Sequence, residues 1–391
     1  MGSKNETNSS LQNRDNFLLN LLSQDTSTVI QKVLADPGKY RLQIVYTTFA
    51  REKEALKLVT HSFRTDLNEY FYPASLVKLP IAALSLEQLK KLGITTGRDS
   101  LIIRVNDLNS SRPVSSIENH IKNVFVVSHN PTSNNLYDFL GQEKINTRIW
   151  DMGYKDVRII QKFAALDALG HKSSGAVQLF TGDSFINPNS SLPGKTTVIW
   201  ERDKIVNPFN WENKAGKTKV GKAYIEERKL IRKPKDFSES NYVPLQDIHE
   251  MLISLIHPEM VNEKKRFFLE DSDRNLLIKY MSMYPRQAQN NEWSDEKIYC
   301  DSFRKYLMFG NTKERIPDNI KIYNKVGQAY GFLSDCAYFY DSQNNISFFL
   351  SATIYVNENE VINDGKYEYE TIGFPFLERL GKLIYNFEAK K

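Results

Sequence analysis

The chain of 391 residues holds two cysteines, Cys300 and Cys336, and six histidines. Neither cysteine sits in a CxxC pair and no histidine cluster has ligand spacing, which removes the usual zinc patterns. One disulfide or two buried free thiols remain as alternatives. Long apolar runs are also missing. Stretches such as "ISFFLSATIYV" from 346 fall well short of the roughly 20 residues a membrane-spanning helix needs. The opening "MGSKNETNSSLQN" lacks the apolar core of a secretory leader and reads as a start scar and flexible tether over 1–13. Nor is one charge in large excess. With 52 Lys and Arg against 47 Asp and Glu, the formal +5 does not by itself call for nucleic acid or a membrane surface. A hydrophobic fraction of 41% and an aromatic fraction of 12% read as globular, at a length that suits two domains or one with an insertion.

Periodicity then divides the chain. Helical apolar spacing runs over 16–35 and stops before "DPGK", a turn signal. "RLQIVYTTF" (41–49) and "KLVTHSF" (57–63) read as strands. From about 80 to 315 the pattern is mostly helical, with helices expected over 116–124, 133–140, 145–152, 245–256 and 272–283. The exception is 173–243, an inserted, partly irregular and β-prone stretch. Its basic run "KAGKTKVGKAYIEERKLIRKPK" reads as a solvated hairpin surface rather than an anion-binding patch, because aromatic interleaving is sparse. Two "GKT" strings are no phosphate loops, since Asn189 and Trp211 stand where each needs a glycine. Strands return after 318, and an amphipathic helix closes the chain over 372–386. The expected fold is α+β, a five-stranded antiparallel sheet flanked by the terminal helices, plus an all-α lobe carrying the insertion. The sheet domain would take 14–78 and 316–391, the helical domain 79–315, with the site in the crevice between them.

Three short motifs carry the chemistry. In "FYPASLVKLPIAALSLEQL" (71–89), Ser75 and Lys78 share one face at the start of an apolar helix. The lysine is either a solvated residue or a base placed to strip the serine's proton. "VFVVSHNPTSNN" puts Ser128 and Asn130 in a short connection between helices, and "IYNKVGQAYGF" puts Lys325 at a strand end before Val326 and Gly327. A helix-start Ser-x-x-Lys, an inter-helix Ser-x-Asn and a strand Lys-x-Gly, in that order, form a specific combination.

With these motifs the chain resembles the penicillin-recognising serine hydrolases, most closely class A β-lactamases and related transpeptidase-type proteins. Their pattern of Ser-x-x-Lys, Ser-Asp-Asn and Lys-Thr/Ser-Gly reads here "SLVK", "SHN" and "KVG". The resemblance covers most of 14–160 and 240–391. It implies Ser75 as nucleophile and Lys78 as base, its ammonium destabilised by desolvation and by Lys325 nearby. The helix start favours negative charge developing at Ser75. Ser128 would relay a proton to the leaving nitrogen, Asn130 would hold the substrate amide, and Lys325 would supply positive potential. Gly327 would leave room for substrate along the strand edge, and the N–H groups of Ser75 and Gln328 would form the oxyanion hole.

The departures also matter. His129 replaces an aspartate and is expected to be structural. Val326 replaces a hydroxyl residue, removing a partner for a substrate carboxylate. The segment that gives class A enzymes their deacylating base has only "ERKL" as a counterpart, in which Glu227 is the single candidate and sits in what reads as a surface turn. The resulting expectation is an active-site serine hydrolase that forms an acyl-enzyme with a β-lactam, a peptidoglycan-type amide or an ester, and clears it slowly. The alternative is a catalytically silent cell-envelope binding protein. The partner is a small-molecule or peptidoglycan-derived substrate, with no cofactor, no nucleic acid and no membrane span. Resemblance implies the bacterial periplasm or cell envelope, with a lipid anchor on a preceding leader as one route of attachment.

Overall fold

The computed structural model describes residues 16–53, 55–106, 112–163, 171–182, 196–288 and 290–391, so the tether expected over 1–13 lies outside the described residues. Five antiparallel strands form the central sheet: β1 (Gln43–Glu52), β2 (Ala55–Phe63), β3 (Ile320–Ala329), β4 (Phe332–Asp341) and β5 (Ile346–Tyr355). Their spatial order is β3-β4-β5-β1-β2, so the two ends of the chain meet where β1 pairs with β5, Gln43 opposite Thr353. This leaves β3 at an edge.

Alternation along the strands explains the continuous apolar runs. Ile44, Tyr46, Phe348 and Leu350 face one core, where α1 (Phe17–Ser23), α2 (Thr28–Ala35) and α9 (Phe374–Glu388) bury Leu22, Ile30, Leu377 and Leu380. Val45 and Phe349 face the other core, with Ile248 and Leu252 of α7 (Leu245–Ile256). A strand buried on both faces shows no polar alternation. The helix expected over 16–35 is in fact two. Between them Asp25 accepts from Ser27 N at 2.9 Å and pairs with Arg379 of α9 at 2.6 Å, a side-chain turn that competes with helix.

The second core surrounds α3 (Lys78–Lys91), buried continuously from Lys78 to Leu89. Around it lie α4 (Ile117–Val126), α5 (Asn130–Leu140), α6 (Gln142–Asp151) and α8 (Asp271–Ser282). A four-stranded sheet in the order Ser115–Ser116, Ile102–Asn106, Ala176–Thr181, Thr197–Arg202 borders this helical part. Its strand Ile102–Asn106 stands where helical periodicity was expected. Ile103 and Val105 alternate inward, but five residues are too few to separate the two periods. Cys300 and Cys336 are free thiols, Cys336 buried and Cys300 partly exposed.

Two buried histidines bind these layers together. His249 of α7 makes 2.8 Å hydrogen bonds to Thr47 on β1 and Ser351 on β5. His120 of α4 donates from Nδ1 to Ser116 O at 3.0 Å and accepts from Asn135 Nδ2 of α5 at 2.9 Å, so protonating Nε2 would break the second bond. Burial pushes His120 down to about 4 and His249 down to about 3. The unfolded imidazoles take up protons near pH 6.5, before the folded ones do. Stability is therefore present in full above that pH and lost as pH falls toward the folded values. Urea unfolding is expected to show a loss of about 2 kcal/mol per histidine between about pH 7 and pH 5, and His249→Gln should roughly halve that slope. A stability that is flat over this interval would contradict the assignment.

Candidate active site

The segment before α3 is a tight 3-10 turn, Ala74–Val77, entered through Ala74 at φ 44°. It presents the half-buried Ser75 to a cleft of about 520 Å³. Lys78, one turn on, is fully buried beneath that cleft. Its Nζ donates to Ser128 O at 2.5 Å, to Asn130 Oδ1 at 2.7 Å and to Ser128 Oγ at 3.3 Å, and it lies 4.7 Å from the centre of the Phe163 ring. These are its hydrogen bonds among the described residues, and none goes to Ser75.

Ser128 and Asn130 come from the short connection between α4 and α5. Ser128 is left-handed at φ 59°, which turns both its carbonyl and its hydroxyl toward Lys78. From the far side Lys325 on edge strand β3 donates to Ser128 Oγ at 2.8 Å. Lys325 is 1% exposed and, like Lys78, has no carboxylate in salt-bridge contact among the described residues. Burial drives both ammonium pKa values well down. Lys78 is pushed further by Arg304, and Lys325 by Lys78 and Arg304. Two cations sharing one hydroxyl, with no carboxylate in contact among the described residues and only Asp335 opposing the shift at Lys325, favour losing a proton.

Ser75, Ser128 and Asn130 therefore line one cleft, with Lys78 and Lys325 beneath it. Gln328 lines it too, but Gly327 does not. A Cβ at Gly327 would stand 2.3 Å from Pro73 O and 3.4 Å from Ala74 Cβ. The space at this glycine is filled by the turn that carries Ser75, not left open for substrate as expected. His129 is exposed at the start of α5. Val326, 2% exposed, lines the cleft without a hydroxyl. Glu227 is not brought to the cleft. It occupies, with Arg228, the exposed turn between strands Ala223–Glu226 and Lys229–Ile231, both residues at positive φ (49° and 65°).

Other cleft residues had no sequence signal. Arg304, at φ 112°, lines the cleft from an irregular segment. Its Nη1 donates to Tyr306 OH at 2.9 Å, and that hydroxyl donates to Gln328 Oε1 at 3.1 Å. The segment is held from below by Asp335 of β4, whose carboxylate accepts from Tyr306 N, Leu307 N and Asn324 Nδ2 at 2.7–3.0 Å. Lys305 closes the network on Asn324 Oδ1 at 2.6 Å. Burial pushes Asp335 up and Lys305 down. No Asp or Glu stands among the described residues that line the cleft.

Comparison with known proteins bears on family and fold. Residues 26–188 match the family model described as the beta-lactamase enzyme family, a span that includes Ser75, Lys78, Ser128 and Asn130 and ends before Lys325. A variant of PBP-A, solved as its acyl-enzyme complex with penicillin G, shares the fold at TM-score 0.51 and 13% identity, covering 96% of this chain and 98% of that one. A β-lactamase from Desulfarculus baarsii aligns at TM-score 0.49 and 12% identity over 95% and 96% of the two chains. Among curated proteins, no sequence matches.

Gly327→Ala provides a direct test of the packing between β3 and the Ser75 turn. The added methyl meets backbone, not a flexible side chain, and should cost about 1–3 kcal/mol of stability, as overpacking generally does. Urea unfolding would measure it, and an unchanged midpoint would show that the contact relaxes freely.

Proposed function

Starting from a chain that is β-lactamase-like in family match and fold, among the penicillin-recognising serine hydrolases, we propose that it forms an acyl-enzyme on Ser75. The observation that carries this reading is the pair of buried lysines, free of carboxylate contacts among the described residues, that both reach Ser128 Oγ. Lys78 in its neutral form takes the Ser75 proton as Oγ attacks a carbonyl carbon. The developing oxyanion is met by the N–H groups of Ser75 and Gln328. The bond from carbon to the leaving nitrogen or oxygen then breaks, and the proton reaches the leaving atom through Ser128, which Lys325 holds in place.

The substrate we propose is a β-lactam, a peptidoglycan-type amide or an ester with an acidic group. Arg304 supports the acidic group: its guanidinium lines the cleft near Val326, where a hydroxyl partner is missing, and its Nε is buried without a hydrogen-bond partner. The absence of a carboxylate among the described lining residues supports slow deacylation. The same absence, together with Val326, favours the second reading, a binding protein that keeps the fold without turnover.

Intact-mass measurement after exposure to a fluorescent penicillin and to a fluorophosphonate separates the two readings. One adduct per chain, lost in Ser75→Ala, is expected, and adduct that persists in Ser75→Ala excludes Ser75. Because Lys78 is held far below an ordinary lysine, the labelling rate should level off well before about pH 10, where an unperturbed amine would still be gaining. Turnover of a chromogenic cephalosporin should be slower than acylation by about a hundredfold or more, the scale of a missing general base. Arg304→Ala should raise KM for a carboxylate-bearing substrate about tenfold or more, in line with loss of a charge-assisted hydrogen bond, and raise it far less for a neutral ester.

A further inference from the structure

The chain's net charge is concentrated in one place. Residues 214–235 contain nine Lys and Arg against two Glu, a local charge of +7 in a chain whose total is +5. Eight of the nine cations are exposed. Lys217 pairs with Glu69, Lys222 with Glu360 and Lys235 with Glu226, and Lys219 lies across from Asp236. Arg228, Lys229, Arg232 and Lys233 have no acidic partner among the described residues. Arg228 lies on the turn and Lys229 on the outer strand of the hairpin formed by Ala223–Glu226 and Lys229–Ile231, Arg232 and Lys233 follow that strand directly, and the four bracket Leu230, itself 50% exposed.

We propose that this hairpin docks the protein on an anionic phospholipid surface. Unpaired cations around an exposed leucine suit a bilayer, where headgroup phosphates meet the charges and the side chain reaches the acyl boundary. A soluble polyanion would make no use of the leucine, and single-stranded nucleic acid would call for stacking aromatics that the hairpin's outer strand lacks. The hairpin is also tied to the cleft. Just after it, Phe237 packs at 5.7 Å on Tyr72 and 5.5 Å on Tyr330, two residues of the cleft wall. Docking would therefore hold the cleft at a fixed position relative to the surface. The inference is independent of the chemistry proposed for Ser75.

Co-sedimentation of the full chain with vesicles of phosphatidylglycerol or of phosphatidylcholine tests it. Binding to phosphatidylglycerol alone, weakened by salt, is the expected result. Neutralising Lys229, Arg232 and Lys233 together as glutamines should lower the partition about a hundredfold, at about fivefold per cation. Leu230→Ser should lower it severalfold with no change in salt dependence. Thermal melting and fluorophosphonate labelling should match the parent in both variants, because these side chains are exposed and outside the cleft. No sedimentation with phosphatidylglycerol at low salt would overturn the proposal, and so would undiminished binding by the triple variant. Full binding by Leu230→Ser, together with release by inorganic polyphosphate, would also overturn it by marking a site for soluble polyanions.

Discussion

Two lysine side chains buried around one serine hydroxyl set the terms for the rest of the structure. With Ser128 Oγ 3.3 Å from one nitrogen and 2.8 Å from the other, two full charges would stand at most about 6 Å apart and repel by roughly 3 kcal/mol or more at an effective dielectric near 20, before the cost of removing either from water. A fold that buries Lys78 and Lys325 with no carboxylate in contact among the described residues accepts this cost only if one of them readily gives up its proton. The hydrogen bonds follow the same logic. Ser128 O and Asn130 Oδ1 accept from Lys78 without cancelling charge, so they orient the amine while leaving its basicity to be set by burial and by neighbouring cations.

Bringing those groups together demands close approach of backbones from distant parts of the chain. Edge strand β3 can lie against the Ser75 turn because Gly327 has no side chain to strike Pro73. The turn enters through Ala74 in a left-handed conformation, Ser128 is left-handed as well, and Arg304 sits at φ 112°. Such conformations cost of order 1–3 kcal/mol each and persist only where the surroundings over-determine them. Here the surroundings are the continuously buried α3, the α4–α5 connection and the Asp335 network, which pins Tyr306 and Leu307 through their backbone N–H groups. The cleft is a place where rigid elements hold strained residues.

Much of this was legible from the sequence because periodicity records burial. The five strands could be read from apolar runs, and the three motifs stood on the expected helix start, helix connection and strand, although Lys325 lies in the middle of β3 rather than at a strand end. Other features depend on contacts that periodicity does not carry. The break between α1 and α2 is made by one aspartate side chain, and the strand Ile102–Asn106 is too short to announce its period. Arg304 reaches the cleft from an irregular segment whose path is fixed by Asp335, 31 residues further on and unremarkable in sequence. Gly327 was legible as a glycine that something must approach, but not as one approached by Pro73. Glu227 came to notice through a local string, and a local string says nothing about distance from the cleft.

The two halves of the proposed reaction are encoded in physically different ways. Acylation needs a nucleophile, a base and oxyanion donors in fixed relation, and these sit on a helix start, a helix connection and a strand, whose positions packing determines. Hydrolysis of the acyl group further needs an activated water, which the described cleft wall does not visibly provide: Gln161, Phe163 and His171 contribute no carboxylate. The charge around the cleft sharpens the contrast. Arg304 along its wall, and whichever of Lys78 and Lys325 keeps its proton below it, give a positive field that favours an anionic substrate and its oxyanion. The same field lowers the basicity of any group that must accept a proton from water. In the proposed reaction, then, the cations that help the first step work against the second.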